Sequence, residues 1–134
     1  MGSVYVHTCS NCGYTVETSG PWEFYRDSEG KRKLYGHPAP VSEEARERGI
    51  YGLSAKIYCP ECDNVHDLII VEYKKSTDNT LQVWLGECEP KNTEVPECPG
   101  CGNRKLVFVP DEDRKVKCPR CNEGVLEGRQ EWIS

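Results

Sequence analysis

Eight of the nine cysteines fall into four Cys-x-x-Cys pairs: Cys9 and Cys12, Cys59 and Cys62, Cys98 and Cys101, Cys118 and Cys121. Nothing else in the chain limits its fold as strongly. Two intervening residues let the backbone turn so that both sulfurs face one point, with peptide N–H groups aimed at them. The residue after the second cysteine of such a turn favours positive φ, which suits Gly best and Asn or Asp next. Those four positions hold Gly13, Asp63, Gly102 and Asn122. Pro60, Pro99 and Pro119 follow the first cysteine of three pairs and set φ at the turn. Residues 1–8 contain no apolar signal core, so the expected location is the cytoplasm, where clustered cysteines bind metal more often than they form disulfides.

At 134 residues, 37% hydrophobic and 29% charged, the chain has little material for a large continuous core. Chains of this kind commonly need a metal staple. Eight thiolates make two complete tetrahedral sets, which suit zinc or a single iron. The expected cofactors are therefore two zinc ions held by Cys9, Cys12, Cys59, Cys62, Cys98, Cys101, Cys118 and Cys121. A site closed by four thiolates keeps no position for water or substrate, which argues against a catalytic metal. No apolar run approaches the roughly 18 residues that span a bilayer.

How the pairs combine is a separate question. Cys101 and Cys118 are separated by 16 residues, a spacing that fits one four-cysteine site. Residues 105–109 and 114–117 straddle Pro110-Asp111-Glu112-Asp113 and read as a hairpin with a knuckle at each end. This segment, about 95 to 130, resembles a zinc ribbon. Cys9 and Cys12 would then share the other metal with Cys59 and Cys62, across 46 residues. The alternative is a cross-brace of first with third and second with fourth. Local loop closure favours the sequential arrangement. The strings His7-Thr8-Cys9-Ser10-Asn11-Cys12-Gly13-Tyr14 and Tyr58-Cys59-Pro60-Glu61-Cys62 resemble the two metal elbows of rubredoxin, with a longer separation and an acidic, aromatic middle. That resemblance implies knuckle geometry and a rubredoxin-like or zinc-ribbon fold, and keeps iron open at the Cys9, Cys12, Cys59, Cys62 set.

Most of the remaining chain reads as short antiparallel strands. Residues 22–26 and 32–35 flank the turn Asp27-Ser28-Glu29-Gly30. Residues 68–71 form a buried strand, and the alternation of Leu81, Val83 and Leu85 with Gln82 and Trp84 predicts another, joined by a turn at 77–80. One short helix is expected after the N-cap Ser42, with Glu43 and Glu44 in its first turn, Arg46 and Arg48 near its end, and Gly49 as its stop. The fold class is thus a small β-rich, metal-stapled protein of two zinc-ribbon or rubredoxin-like units with one short helix. The expected organisation is an N-terminal zinc-knuckle domain at 1–88, a Pro-containing linker at 89–97 and a C-terminal zinc ribbon at 98–134.

Function is read from what these features favour and disfavour. Redox catalysis by a Cys-x-x-Cys dithiol calls for a strand-to-helix junction, and strands flank these motifs instead. His7, His37 and His66 are expected at the surface or behind the ligands, since each metal already has four cysteines. Cys88 is expected as a small side chain packed near a strand end. The net charge is −5, with 10 basic and 16 acidic residues in 1–97 against 7 and 6 in 98–134. Each tetrathiolate zinc adds a formal −2, so duplex nucleic acid is a poor partner. Arg104, Lys105, Arg114, Lys115, Lys117 and Arg120 crowd the C-terminal knuckles, where they offset that charge or face phosphate. Trp22, Phe24 and Tyr25, interleaved with basic residues, read either as hairpin core or as a platform for single-stranded bases. The leading expectation is a non-enzymatic module that binds another protein as an adaptor or accessory subunit, with no membrane or small-molecule substrate. The alternatives are a single-strand-binding zinc-ribbon protein of transcription or translation, and a rubredoxin-like electron carrier.

Overall fold

The computed structural model describes residues 2–36, 39–78, 82–83, 85–91, 96–111 and 113–133. It is β-rich, with strands β1 (Ser3–Cys9), β2 (Thr15–Arg26), β3 (Arg32–Leu34), β4 (Ile50–Cys59), β5 (Asn64–Thr77), β6 (Val116–Lys117) and β7 (Val125–Ile133), and the short helix α1 (Glu43–Arg48). The strands form one sheet in the order β5-β4-β2-β1-β7-β6, with β3 paired to β2. The last long strand therefore lies beside the first. β1 runs antiparallel to β7 from Ser3 opposite Ile133 to Cys9 opposite Leu126, and antiparallel to β2 on its other side.

Local chemistry explains the turns and the helix. Asp27 Oδ1 accepts the N–H groups of Glu29 and Lys31, each at 2.9 Å, and Gly30 takes a φ of 79°. This closes the β2–β3 hairpin in the expected place, with Arg26 opposite Arg32. The N–H of Lys31, and then that of Glu29 and the Lys33 ammonium, hold the Asp27 carboxyl below its usual range against the effect of burial. At α1, Ser42 Oγ accepts from the Ala45 N–H at 3.1 Å. Gly49, at φ 80°, donates its N–H to the Ala45 carbonyl. The helix and both caps agree with the sequence reading.

Three expectations need correction. Gln82 and Val83 are helical, not extended, while Leu81 and Trp84 lie outside the described residues. Residues 105–109 do not pair with 114–117 as a ribbon hairpin requires: Val107 bridges Tyr58 of β4, and Val116–Lys117 pair with β7. Part of the expected linker is docked, since Pro90 bridges Tyr73 and the backbones of Glu89 and Lys91 bond those of Lys74 and Glu72. The chain packs as two compact units. One unit comprises residues 21–54 and 69–95; the other comprises 2–20, 55–68 and 96–134. The units alternate along the sequence.

Each unit has its own core. In the first, Tyr25, Tyr35, Ala45, Ile50, Tyr73 and Val83 are buried together, with Cys88 half-buried against them. Cys88 is thus a packing side chain, and burial raises its thiol pKa. Arg26 makes a bidentate pair with Glu72, at 2.9 and 2.8 Å. In the second unit, Cys9, Val16, Tyr58, Val107, Cys118 and Leu126 form the buried cluster, so cysteines are part of its core. No helix among the described residues is long and apolar enough to cross a membrane.

Gly52 of β4 marks the tightest backbone approach in the first unit. A Cβ there would run into the Val71 carbonyl oxygen and lie 2.8 Å from Phe24 Cε1 and 2.9 Å from Glu72 Cα. Gly52→Ala should lower the unfolding free energy by about 1–3 kcal/mol, the range for an overpacked interior. Urea titration checks this, and wild-type stability in the variant would show that the strands can part at no cost.

Candidate metal centres

The knuckles are built as their sequences dictate. The residue after each second cysteine has positive φ: 78° at Gly13, 54° at Asp63, 76° at Gly102 and 59° at Asn122. Asp63 and Asn122 are the only non-glycine residues in that region among the described residues. The N–H groups of Gly13, Gly102 and Asn122 close their turns on the carbonyls of Cys9, Cys98 and Cys118. The N–H groups of Asn11 and Cys12 approach Cys9 Sγ, and that of Gly100 approaches Cys98 Sγ, each at 3.4 Å. Peptide dipoles so placed favour thiolate over thiol. The first cysteine of every pair is buried, whereas Cys12 and Cys101 are exposed.

Four knuckles assemble into two sets, but not in either arrangement expected from spacing. Cys9 and Cys12 join Cys118 and Cys121, while Cys59 and Cys62 join Cys98 and Cys101. The order is nested: first with fourth, second with third. Strand pairing is the cause. β1 ends at Cys9 beside the start of β7, so the first knuckle meets the turn that precedes β7. Ser10 N–H donates to the Val125 carbonyl, and Ser10 Oγ accepts the Val125 N–H. Tyr58, immediately before Cys59, exchanges two backbone hydrogen bonds of 2.8 Å with Val107, which draws in the third knuckle. Both sets belong to the second compact unit.

The geometry of each set fits a tetrahedral cation. Within a set all four sulfurs lie within 4.8 Å of one another. Cys9 to Cys121 is 3.6 Å and Cys12 to Cys118 is 3.8 Å. Cys59 to Cys101 and Cys62 to Cys98 are both 3.7 Å. A metal about 2.3 Å from four sulfurs requires S–S edges of about 3.8 Å. Gly124 leaves room for this, since a Cβ there would sit 2.5 Å from Cys9 Sγ. A tetrathiolate of these dimensions accommodates zinc or iron.

The electrostatics of the thiols point the same way. Burial opposes the Cys98 thiolate, yet the N–H groups of Gly100 and Cys101 prevail and bring it down to about 6. The N–H groups of Glu123 and Gly124 bring Cys121 down to about 6. The adjacent sulfurs of Cys101 and Cys98, with burial, push Cys62 up to about 12. The Tyr14 N–H favours the Cys12 thiolate, but burial and three neighbouring sulfurs push that thiol up to about 11. Each set thus has a sulfur that ionises readily and another that its neighbours hold protonated. A divalent cation among them removes that conflict.

Neither His7 nor His66 belongs to a ligand set. His7 is buried, with Nε2 2.9 Å from Thr18 Oγ1, and burial lowers its pKa. His66 Nε2 lies 3.5 Å from Cys98 Sγ and Asn103 Nδ2 lies 3.7 Å from Cys59 Sγ, so both stand behind sulfurs of the second set. His37 lies outside the described residues. Sequence reasoning missed a polar cluster beside the knuckles. Tyr14 and Tyr58 both donate to Asp63, whose other oxygen accepts from Arg120. Its only trace in the sequence is that all four residues adjoin or lie within knuckles. Of the other basic residues, Arg114 binds the carbonyls of Lys105 and Leu106, and Arg104 pairs with Glu97. Phe24 and Tyr25 are buried, at 1% and 4% exposure.

Comparisons with protein-family models, curated proteins and solved structures find no match for the chain. Ligand grouping can be tested directly. At saturating zinc, the double variant Cys9→Ser, Cys118→Ser should retain one metal per chain, because both changes fall in one set. The double variant Cys9→Ser, Cys59→Ser should retain none. Elemental analysis gives the count, and the reverse result would restore the sequential pairing.

Proposed function

We propose that the chain is a non-enzymatic module with two structural zinc sites, acting as a protein-binding adaptor or accessory subunit. The observation that carries the metal reading is the pair of four-sulfur sets, each with all its sulfurs within 4.8 Å of one another and two edges of 3.6 to 3.8 Å, close to the edge a tetrahedral zinc requires. The structural role is supported by where the ligands sit: Cys9 and Cys118 are members of the buried cluster of the second unit. Metal bound there ties strand ends that are remote in sequence. With all four positions filled by sulfur, such a metal orders the chain and leaves substrate no place to coordinate.

A protein partner is favoured over nucleic acid by charge and by burial. The net charge of −5 becomes more negative with two tetrathiolate metals. Phe24 and Tyr25 are core residues, which removes two of the three rings a single-strand platform would use. The same tetrahedra accommodate iron, the basis of the electron-carrier alternative.

Chain purified from zinc-replete cells should be colourless and carry two zinc ions. Removal of both by a strong chelator should unfold at least residues 2–20, 55–68 and 96–134, since structural zinc supplies on the order of 10 kcal/mol of folding free energy. Elemental analysis and the dispersion of backbone amide NMR signals check this. A red, iron-containing preparation would favour the electron carrier, and a chain that stays folded without metal would overturn the structural role.

A further inference from the structure

The two cysteine sets are joined by a single carboxylate. Asp63 directly follows Cys62, and Tyr58 directly precedes Cys59, so both belong to the knuckle of the second set. Tyr14 lies two residues beyond Cys12, and Arg120 lies between Cys118 and Cys121, so these belong to the knuckles of the first. The Tyr14 and Tyr58 hydroxyls each donate to Asp63 Oδ1 at 2.8 Å. Arg120 Nε donates to Asp63 Oδ2 at 3.0 Å, and its guanidinium carbon stands 4.7 Å over the Tyr14 ring. All four residues lie in the second compact unit. One side chain therefore receives donors from the first, second and fourth knuckles.

The position of that carboxylate depends on its knuckle. Asp63 has a φ of 54°, a conformation imposed by the turn whose sulfurs bind the metal. A metal held by Cys59, Cys62, Cys98 and Cys101 fixes the turn and hence the carboxylate. The carboxylate then fixes Tyr14 and Arg120, which flank the sulfurs of the other set. Accepting three donors, two of them from phenols and one charged, it loses these contacts together when its turn relaxes. We infer, on the reading that both sets bind metal, that Asp63 is a positioning residue that couples the two centres, so that filling either strengthens metal binding at the other. Linkage makes the effect reciprocal.

The test measures each site with the other disabled. Zinc affinity of the second set is determined in the full chain by chelator competition, with and without Cys9→Ser, Cys118→Ser. Affinity of the first set is determined likewise with and without Cys59→Ser, Cys98→Ser. Disabling either set should weaken the other by about tenfold, within the usual range of coupling between sites. In an Asp63→Asn background, where Asn tolerates the positive φ but cannot accept from Arg120 through its amide nitrogen, the loss should shrink to less than about threefold. Tyr14→Phe, which cuts the tie from the opposite knuckle, should also reduce it. Two outcomes overturn the coupling while leaving the metal reading intact: no loss in the wild-type background, or an equal loss in all backgrounds. Uptake of fewer than two zinc ions by the wild-type chain would overturn the metal reading and the coupling with it.

Discussion

Four sulfurs within 4.8 Å of one another, with two contacts of 3.6 to 3.8 Å in each set, cannot all be charged unless a cation sits among them. They also cannot all be comfortable thiols when peptide N–H groups are turned towards them. This conflict is present in both sets, as a thiol brought down to about 6 beside another pushed up to about 11 or 12. The core of the second unit is built around it: Cys9 and Cys118 pack with Val16, Tyr58, Val107 and Leu126. A divalent metal bound there would satisfy the sulfurs and complete a core that the apolar residues alone leave small.

Topology determines which sulfurs meet. The ladder between β1 and β7 brings together chain segments more than a hundred residues apart and places the first knuckle on the last. The backbone exchange between Tyr58 and Val107 does the same for the inner pair. The nested order follows from these two contacts. The first unit holds neither set, and its tyrosine-rich core includes Ala45 of the capped helix.

Features governed by a few adjacent residues were legible in the sequence. Positive φ at Gly13, Asp63, Gly102 and Asn122, the Asp27 turn, and the caps at Ser42 and Gly49 all follow from local sterics and short hydrogen bonds. The pairing of the knuckles was not legible, because loop closure counts the chain between cysteines and ignores the strands that carry them. Sixteen residues between Cys101 and Cys118 looked like a ribbon, yet Val107 finds its partner in β4 and Val116 in β7. The alternation around Val83 covered only five residues, too short a run to separate strand from helix, and Gln82 and Val83 are helical. The knuckle motif dictates the backbone conformation of Asp63, but the three donors that Asp63 accepts include residues brought together only by the fold.

The coordination sphere is the property that separates closed tetrathiolate zinc centres from other metal chemistry. X-ray absorption at the zinc edge of the fully loaded chain measures it. Four sulfur neighbours per zinc at about 2.3 Å and no nitrogen or oxygen neighbours are expected, whereas any light-atom ligand at about 2.0–2.1 Å would contradict closed tetrathiolate centres.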